Sequence, residues 1–359
     1  MKNLAIGWFF QDLNPGGGQR FCREISKILA GRGHHITIVV PRGRALVEVP
    51  DAEIIEAGPE FKNPILAISA SLPAMKKAMG KKDVVISSMP FMGILNRFCS
   101  TRLKYHFLQS DDFTLFDDRN LIRSSTLLNF YKMTAKISYR LPLKYWCNSR
   151  WTLEKFKGHS PAVDPTIVHP GVDIEVFKPP PTNCRQPGLI GVFLKHGRIR
   201  ALHTVVEVMN RLAEHGFKLK LRVFSKDDFD FHNCRCEVEK LYIANDESLV
   251  KKMNECALFI GASYDEGFYL PGLEAMACGL PLVMTDCGGC RDYAVHNLNC
   301  LLLPPGDSQK MSEAVIELLT NPAKACLLAE TGVADAAKFT WNATADRIEA
   351  IIEKDWAEL

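Results

Sequence analysis

Two carboxylates with seven residues between them, Glu266 and Glu274, bracket the pairs Gly267-Phe268 and Pro271-Gly272 in the stretch SYDEGFYLPGLEAMACGLPLVMTD. The preceding run ALFIGAS predicts a buried strand, YDEGFY a loop, and Pro271 a first helical turn, where a proline's missing N–H costs nothing. The N–H groups from Gly267 to about Gly272 are then free to meet an anion. An acid beside a phosphate would repel it, so the two acids are expected to accept hydrogen bonds from hydroxyls on either side of the phosphates. Sugar hydroxyls, then phosphates, then ribose hydroxyls is the order found in a nucleotide sugar. The plainer alternative is that Glu274 complements the helix dipole and Glu266 is a solvated loop acid.

A second glycine-rich turn follows the first strand. In QDLNPGGGQRF, Gly16, Gly17 and Gly18 open a helix, and backbone without side chains at a strand's carboxyl end lets an anionic ligand approach. Several residues separate Phe10 from the first glycine, so this is not the dinucleotide fingerprint, and an NAD-dependent Rossmann enzyme is the weaker alternative. Cys234-Arg-Cys236 and Cys287-Gly-Gly-Cys290 lack a standard four-ligand zinc spacing, so no metal is expected. Asp228-Phe-Asp230 stands in an acidic polar segment and is taken as a solvated loop.

The elements that must carry these groups alternate through the chain. LAIGWFF and HITIVV flank a segment in which Phe21, Ile25, Ile28 and Leu29 share one helical face, a βαβ unit. VVISSM, YHFLQS, YWCNS and TIVH continue as strands, and continuous apolar runs imply a parallel sheet covered on both faces. Prolines interrupt the pattern from 170 to 188. GLIGVFL, KLKLRVF, ALFIGAS, PLVMTD and NCLLL then restart it, with helices between. The expected division is an N-terminal domain 1–172, a linker 173–187 and a C-terminal domain 188–340. Two doubly wound α/β halves would thus face each other across a cleft, the site lying beyond the carboxyl ends of their strands.

At 359 residues the chain is long enough for two domains. A formal net charge of +3 and an ordinary apolar content give no field for nucleic acid, and none is expected as a partner. No signal peptide or spanning stretch is read, and twelve cysteines scattered through apolar segments suit reduced thiols in a cytoplasmic protein.

The pair Glu266 and Glu274 inside EGFYLPGLEAMACGLPLV resembles the E-x7-E signature of the retaining GT-B glycosyltransferases of glycosyltransferase family 4, the group 1 glycosyltransferases. PGGGQRFCREISKILAGRGHHITIV, SRWTLEKF, HPGVDIEVFKP, CGGCRDYAVHNLNCLLLPPGD and FTWNATADRIEAII carry the same resemblance over nearly the whole chain. It implies a GT-B fold of two Rossmann-like domains, with the last helix, 341–359, completing the first. Glu266 would contact the transferred sugar, Glu274 the ribose, and the amides of Gly267, Phe268, Tyr269 and Leu270 the sugar and diphosphate, with Gly16, Gly17 and Gly18 also on the donor. The family's basic pair falls in LKHGRIRALHT, an imperfect match, where Lys195 and Arg200 are chosen and Arg198 is the runner-up.

The resemblance further implies a nucleoside-diphosphate sugar as substrate, no cofactor, no required metal, and transfer with retention onto a glycan or lipid-linked acceptor in surface polysaccharide or glycoconjugate synthesis. His106, Asp111 and Asp112 in YHFLQSDDF are the acceptor-side residues, Asp111 and Asp112 lying just beyond a strand's carboxyl end. A non-catalytic GT-B subunit that binds nucleotide or glycan is the alternative.

One more segment stands out. In NFYKMTAKISYRLPLKYW, Lys132, Lys136 and Arg140 recur every four residues, while Phe130, Met133 and Ile137 form a neighbouring row. Either the apolar row packs on the sheet, or both rows make a peripheral contact, through 130–146, at the inner face of the membrane.

Overall fold

The computed structural model describes every residue except 1–2, 14–15, 62–63, 115–124, 183, 196–198 and 243–244, and gives no side-chain placement for 64–66, 125–127 and 199–200. Strands and helices alternate. In chain order they are β1 (Ala5–Phe9), α1 (Gly17–Gly31), β2 (His35–Pro41), β3 (Ala52–Ala57), α2 (Pro64–Met79), β4 (Lys82–Ser88), α3 (Pro90–Arg97), β5 (Thr101–Leu108), α4 (Ser125–Ser138), β6 (Lys144–Cys147), α5 (Arg150–His159) and β7 (Thr166–Ile167). After them come β8 (Gln186–Phe193), α6 (Ile199–Glu214), β9 (Lys220–Phe224), β10 (Glu237–Leu241), α7 (Asp246–Asn254), β11 (Cys256–Gly261), α8 (Leu270–Ala277), β12 (Leu282–Thr285), β13 (Leu301–Leu303), α9 (Ser308–Thr320), α10 (Pro322–Ala336) and α11 (Trp341–Ala357).

The chain forms two units, one of Met1–Gly171 with Trp341–Leu359, the other of Val172–Thr340. The first holds a seven-stranded sheet ordered β3-β2-β1-β4-β5-β6-β7, the second a six-stranded sheet ordered β10-β9-β8-β11-β12-β13. Every pairing between these strands is parallel. Both orders run outward in two directions from the first strand, which puts a topological switch point between β1 and β4 and another between β8 and β11.

Burial on both faces explains the unbroken apolar runs. In the second unit Leu258, Ile260 and Val283 enter one core, while Phe259, Leu282 and Met284 from the same strands enter the other. The stretch expected as a linker, 173–187, belongs to the second unit: Phe177 is buried in its core, and β8 already begins at Gln186. A proline-rich composition therefore broke the periodicity without freeing the chain.

Helix α11 is held in the first unit by several kinds of contact. Ala345, Ile348, Ile351 and Ile352 are buried, and the Trp341 ring lies 6.0 Å from that of Phe21. Asp355 accepts from the Tyr105 hydroxyl at 2.6 Å and from Lys144 at 2.7 Å. No helix among the described residues is long and apolar enough to cross a membrane.

Candidate functional site

The carboxyl ends of β8 and β11 lie side by side, because Val192 pairs with Ile260 in parallel register. Lys195 follows β8 by two residues and is exposed; Ser263 follows β11 by two and is buried. The loop after β11 is then clamped by the loop after β12. Glu266 and Gly288 form a bridge in which the Glu266 N–H donates to the Cys287 carbonyl at 2.8 Å and the Gly289 N–H donates to the Glu266 carbonyl at 3.0 Å. Ser263 Oγ donates to Glu266 Oε1 at 3.2 Å, which aims that half-buried carboxylate.

The clamp works only with glycine at 289. A Cβ built there would stand 1.9 Å from the Gly267 carbonyl oxygen and 2.6 Å from the Phe268 nitrogen, both backbone atoms. Phe268 then turns its ring into the core, 5.3 Å from Tyr293 and 5.9 Å from Phe339, so the ligand contact open to this residue is its backbone. Tyr269 starts α8 in the left-handed region (φ 66°, ψ 64°), and its carbonyl accepts from the Tyr293 hydroxyl at 2.6 Å. Leu270 opens the helix half-buried, and the Tyr269 side chain makes no capping hydrogen bond to it.

Glu274 lies one turn inside α8 and is only 4% exposed, while the Tyr269 hydroxyl is buried with no hydrogen-bond partner among the described residues. Burial pushes that phenol well above its usual range, and Cys287, Glu266, Cys290 and Glu274 add to the shift. Tyr269 is thus a neutral donor set within the field of both acids, a residue the sequence offers only as a backbone contact. The Cys287 thiol is likewise pushed up, by its hydrogen bond with Cys290 and by burial. Cys287 is therefore not a ready thiolate ligand. Among the described residues no three His, Cys, Asp or Glu side chains gather as a metal-ion set.

Of the cations chosen from sequence, Arg198 lies outside the described residues and Arg200 is the second residue of α6, its side chain undescribed. Asp228 pairs with Lys240 at 2.6 Å and Asp230 with His232 at 2.6 Å, so each acid has a partner of its own on an exposed loop.

In the first unit, Gly16 precedes α1 in extended conformation and has no side chain to cap it. Gly18 packs on Gln109, whose amide oxygen would be 2.4 Å from an added Cβ, and Gln109 in turn donates to Ser88 at the end of β4. The glycine turn therefore lies at the β1–β4 switch point of its own sheet.

The acceptor-side residues take other roles than expected. His106 is fully buried in β5, its Nδ1 3.0 Å from Ser87 Oγ, and burial lowers its pKa to about 3. It is a neutral core histidine packed under Gly93 of α3, not a base facing solvent. Asp111 accepts from the Phe113 N–H at 3.1 Å and the Thr114 hydroxyl at 3.2 Å and so closes its own turn. Asp112 accepts from the hydroxyls of Tyr131 at 3.0 Å and Tyr139 at 3.2 Å. Burial raises its pKa to about 7 against the pull of those two hydroxyls, with Asp111 adding. Both aspartates are buried and anchor structure; their place after β5 is all that sequence could show.

Comparison with known proteins agrees with this architecture. The family described as glycosyl transferases group 1 matches residues 188–321, and that described as glycosyltransferase family 4 matches residues 15–176. A D-inositol 3-phosphate glycosyltransferase of Thermobispora bispora is 26% identical over 219 residues, 54% of this chain and 51% of that protein, so the chain spans about half of its length. Among solved structures, sucrose-phosphate synthase from Thermosynechococcus elongatus superposes with a TM-score of 0.82 at 18% identity, covering 99% of this chain and 100% of that one. Anabaena Alr3699/HepE in complex with UDP-glucose gives 0.77 at 16% identity, covering 99% and 100%. The two matched regions together take in most of the sequence and meet the two parallel units one to one, and the chain belongs to the group 1 glycosyltransferases of glycosyltransferase family 4, with the GT-B fold.

Proposed function

We propose that the protein is a retaining glycosyltransferase that moves a sugar from a nucleoside diphosphate to a glycan or lipid-linked acceptor in surface polysaccharide or glycoconjugate synthesis. The observation that carries this is the switch point of the second sheet, where the clamped Glu266 loop, the start of α8 and buried Glu274 all follow β11, next to the end of β8 and Lys195. Glu274 is assigned the ribose hydroxyls, Glu266 the hydroxyls of the transferred sugar, and the amides of 267–270 the oxygens between them. Breaking the bond between the anomeric carbon and phosphate oxygen leaves negative charge on the diphosphate. Lys195 and Arg200, with the amides of α8, are assigned to that charge, and no bound metal is invoked for it. The glycine-rich start of α1 at Gly16–Gly18 is the proposed anion contact of the first unit.

Retention follows if the acceptor hydroxyl attacks the face the diphosphate leaves, its proton passing to the departing phosphate oxygen. The other retaining route would glycosylate a carboxylate, for which Glu266 is the candidate. The test is release of nucleoside diphosphate from a panel of UDP-, GDP- and dTDP-sugars, beginning with UDP-glucose because a relative of the same fold is solved with it. Tight nucleotide binding without release, with acceptors supplied, would favour the non-catalytic subunit. Absence of both release and binding would refute the donor site itself.

A further inference from the structure

We propose that helix α4 docks the protein onto an anionic lipid bilayer surface, with Phe130, Met133 and Ile137 entering the headgroup region and Lys136 and Arg140 meeting lipid phosphates. This goes beyond the donor chemistry above and rests on different residues. The helix buries Ala135 with a row of hydroxyl-bearing side chains and leaves a second, apolar row outside. Its apolar side chains Phe130, Met133 and Ile137 are 44%, 50% and 44% exposed, while Tyr131, Thr134, Ser138 and, just past its end, Tyr139 are buried. A surface helix ordinarily does the reverse.

That arrangement is held by hydrogen bonds. Tyr131 and Tyr139 both donate to Asp112 beyond the end of β5, while the buried hydroxyls of Thr134 and Ser138 are satisfied within the helix by the carbonyls of Tyr131 and Ala135. The Ser138 carbonyl accepts in addition from Tyr145 at 2.6 Å. With its inner face fixed through hydroxyls, α4 cannot roll its apolar row into the core without stranding the Asp112 carboxyl.

Charge selects the occupant. At 100° per residue, Lys136 lies beside the Phe130, Met133 and Ile137 row on one outward arc; Arg140 follows in the turn two residues past the helix, and both are exposed. From 119 to 153 the sequence holds Arg119, Arg123, Lys132, Lys136, Arg140, Lys144 and Arg150 and no acidic residue. A second copy of the chain would bring this basic row against itself. An apolar row flanked by long cationic side chains is the pattern of a helix lying in the bilayer interface, its apolar side sunk into the headgroups and its cations reaching the phosphates.

The test is co-sedimentation of the full-length protein with vesicles of phosphatidylglycerol and phosphatidylcholine, against phosphatidylcholine alone, at low and high salt. Binding should require the anionic lipid and fall with salt. It should weaken on the order of tenfold or more in Lys136→Glu with Arg140→Glu, two contacts near the surface being removed. Phe130→Ser with Met133→Ser and Ile137→Ser should abolish the part that survives at high salt. Binding of nucleoside diphosphate, which uses none of these residues, should be unchanged in both variants and reports that they are folded. No binding to anionic vesicles at low salt, equal binding to neutral ones, or a dimer that dissociates in the triple serine variant would each overturn the proposal.

Discussion

Replacing Gly289 by alanine tests whether the loop after β12 truly positions the loop after β11. The added Cβ would lie 1.9 Å from the Gly267 carbonyl oxygen and 2.2 Å from its carbon. A carbon and an oxygen approach no closer than about 3.3 Å, so the Gly267–Phe268 peptide must retreat by about 1.4 Å, and no side-chain rotation can absorb the shift. Overpacking of this kind costs about 1–3 kcal/mol. The two backbone hydrogen bonds of the Glu266–Gly288 bridge, at 2.8 and 3.0 Å, stretch with it and add about 0.5–1.5 kcal/mol each. For a unit of this size the sum lowers the melting temperature by roughly 5 to 20 °C.

Turnover should suffer more than stability suggests, because a misplacement of about 1 Å at reacting groups costs on the order of a hundredfold. Both quantities are measurable on one preparation, by calorimetric melting and by nucleoside diphosphate release from the donor that the panel identifies. Gly332→Ala in α10 is the control, since its Cβ would meet nothing closer than 3.4 Å and alanine favours the helix. If Gly289→Ala melts with the wild type and keeps its turnover, the clamp is wrong. If it melts lower but turns over normally, the clamp is structural and the sugar lies elsewhere.

Glu274→Ala should weaken nucleoside diphosphate binding about 10- to 150-fold by removing charge-assisted bonds worth about 1.5–3 kcal/mol, and equal affinities by titration calorimetry would remove the ribose assignment. Replacing Lys195 and Arg200 together by alanine should lower kcat while leaving the melting temperature nearly in place, as charge that grows in the transition state requires; the opposite split would refute their role. Asp112 titrates near pH 7 when folded and near 4 when unfolded, so its protonation stabilises the fold at low pH and that contribution, up to about 4 kcal/mol, is lost as pH rises through 7. Asp112→Asn should flatten the urea midpoint between pH 4 and 8, and an unaltered slope would contradict the burial argument. His106 has the opposite sign: held neutral to about pH 3, it costs stability as pH falls below about 6.5, and His106→Asn should lessen the loss in acid by the same measurement.

The central strands were legible because both faces are buried and their apolar runs are unbroken. The edge strands β3, AEIIEA, and β10, EVEKL, were not: charged residues interrupt the apolar ones there, and Glu53 and Glu56 of β3, like Glu237 and Lys240 of β10, are exposed on both faces. The acid pair and the start of α8 could be read because Pro271 and two flanking carboxylates are local signals. Gly289 could not be singled out, since its meaning is a contact with Gly267, 22 positions earlier. His106 and Asp112 were placed correctly along the chain, but whether such groups face solvent or core depends on Ser87, Tyr131 and Tyr139, which only the tertiary fold supplies. In α4 the period separated the two rows without revealing which side was buried, because tyrosine, threonine and serine can serve on either.

Helix α11 gives the first unit an unusual schedule of birth. A ribosome makes 1–171, then the whole of 172–340, and only afterwards the helix that the first unit needs. The second unit has no such debt: its ends already meet where Val172 bridges Thr340 and donates to the Phe339 carbonyl at 2.8 Å, so it can close as soon as it emerges. Meanwhile Phe21 lacks Trp341 and the Tyr105 hydroxyl lacks Asp355. The first unit is therefore completed only after the second has been made, and through the intervening interval its apolar seat for Ala345, Ile348 and Ile352 stands open to solvent.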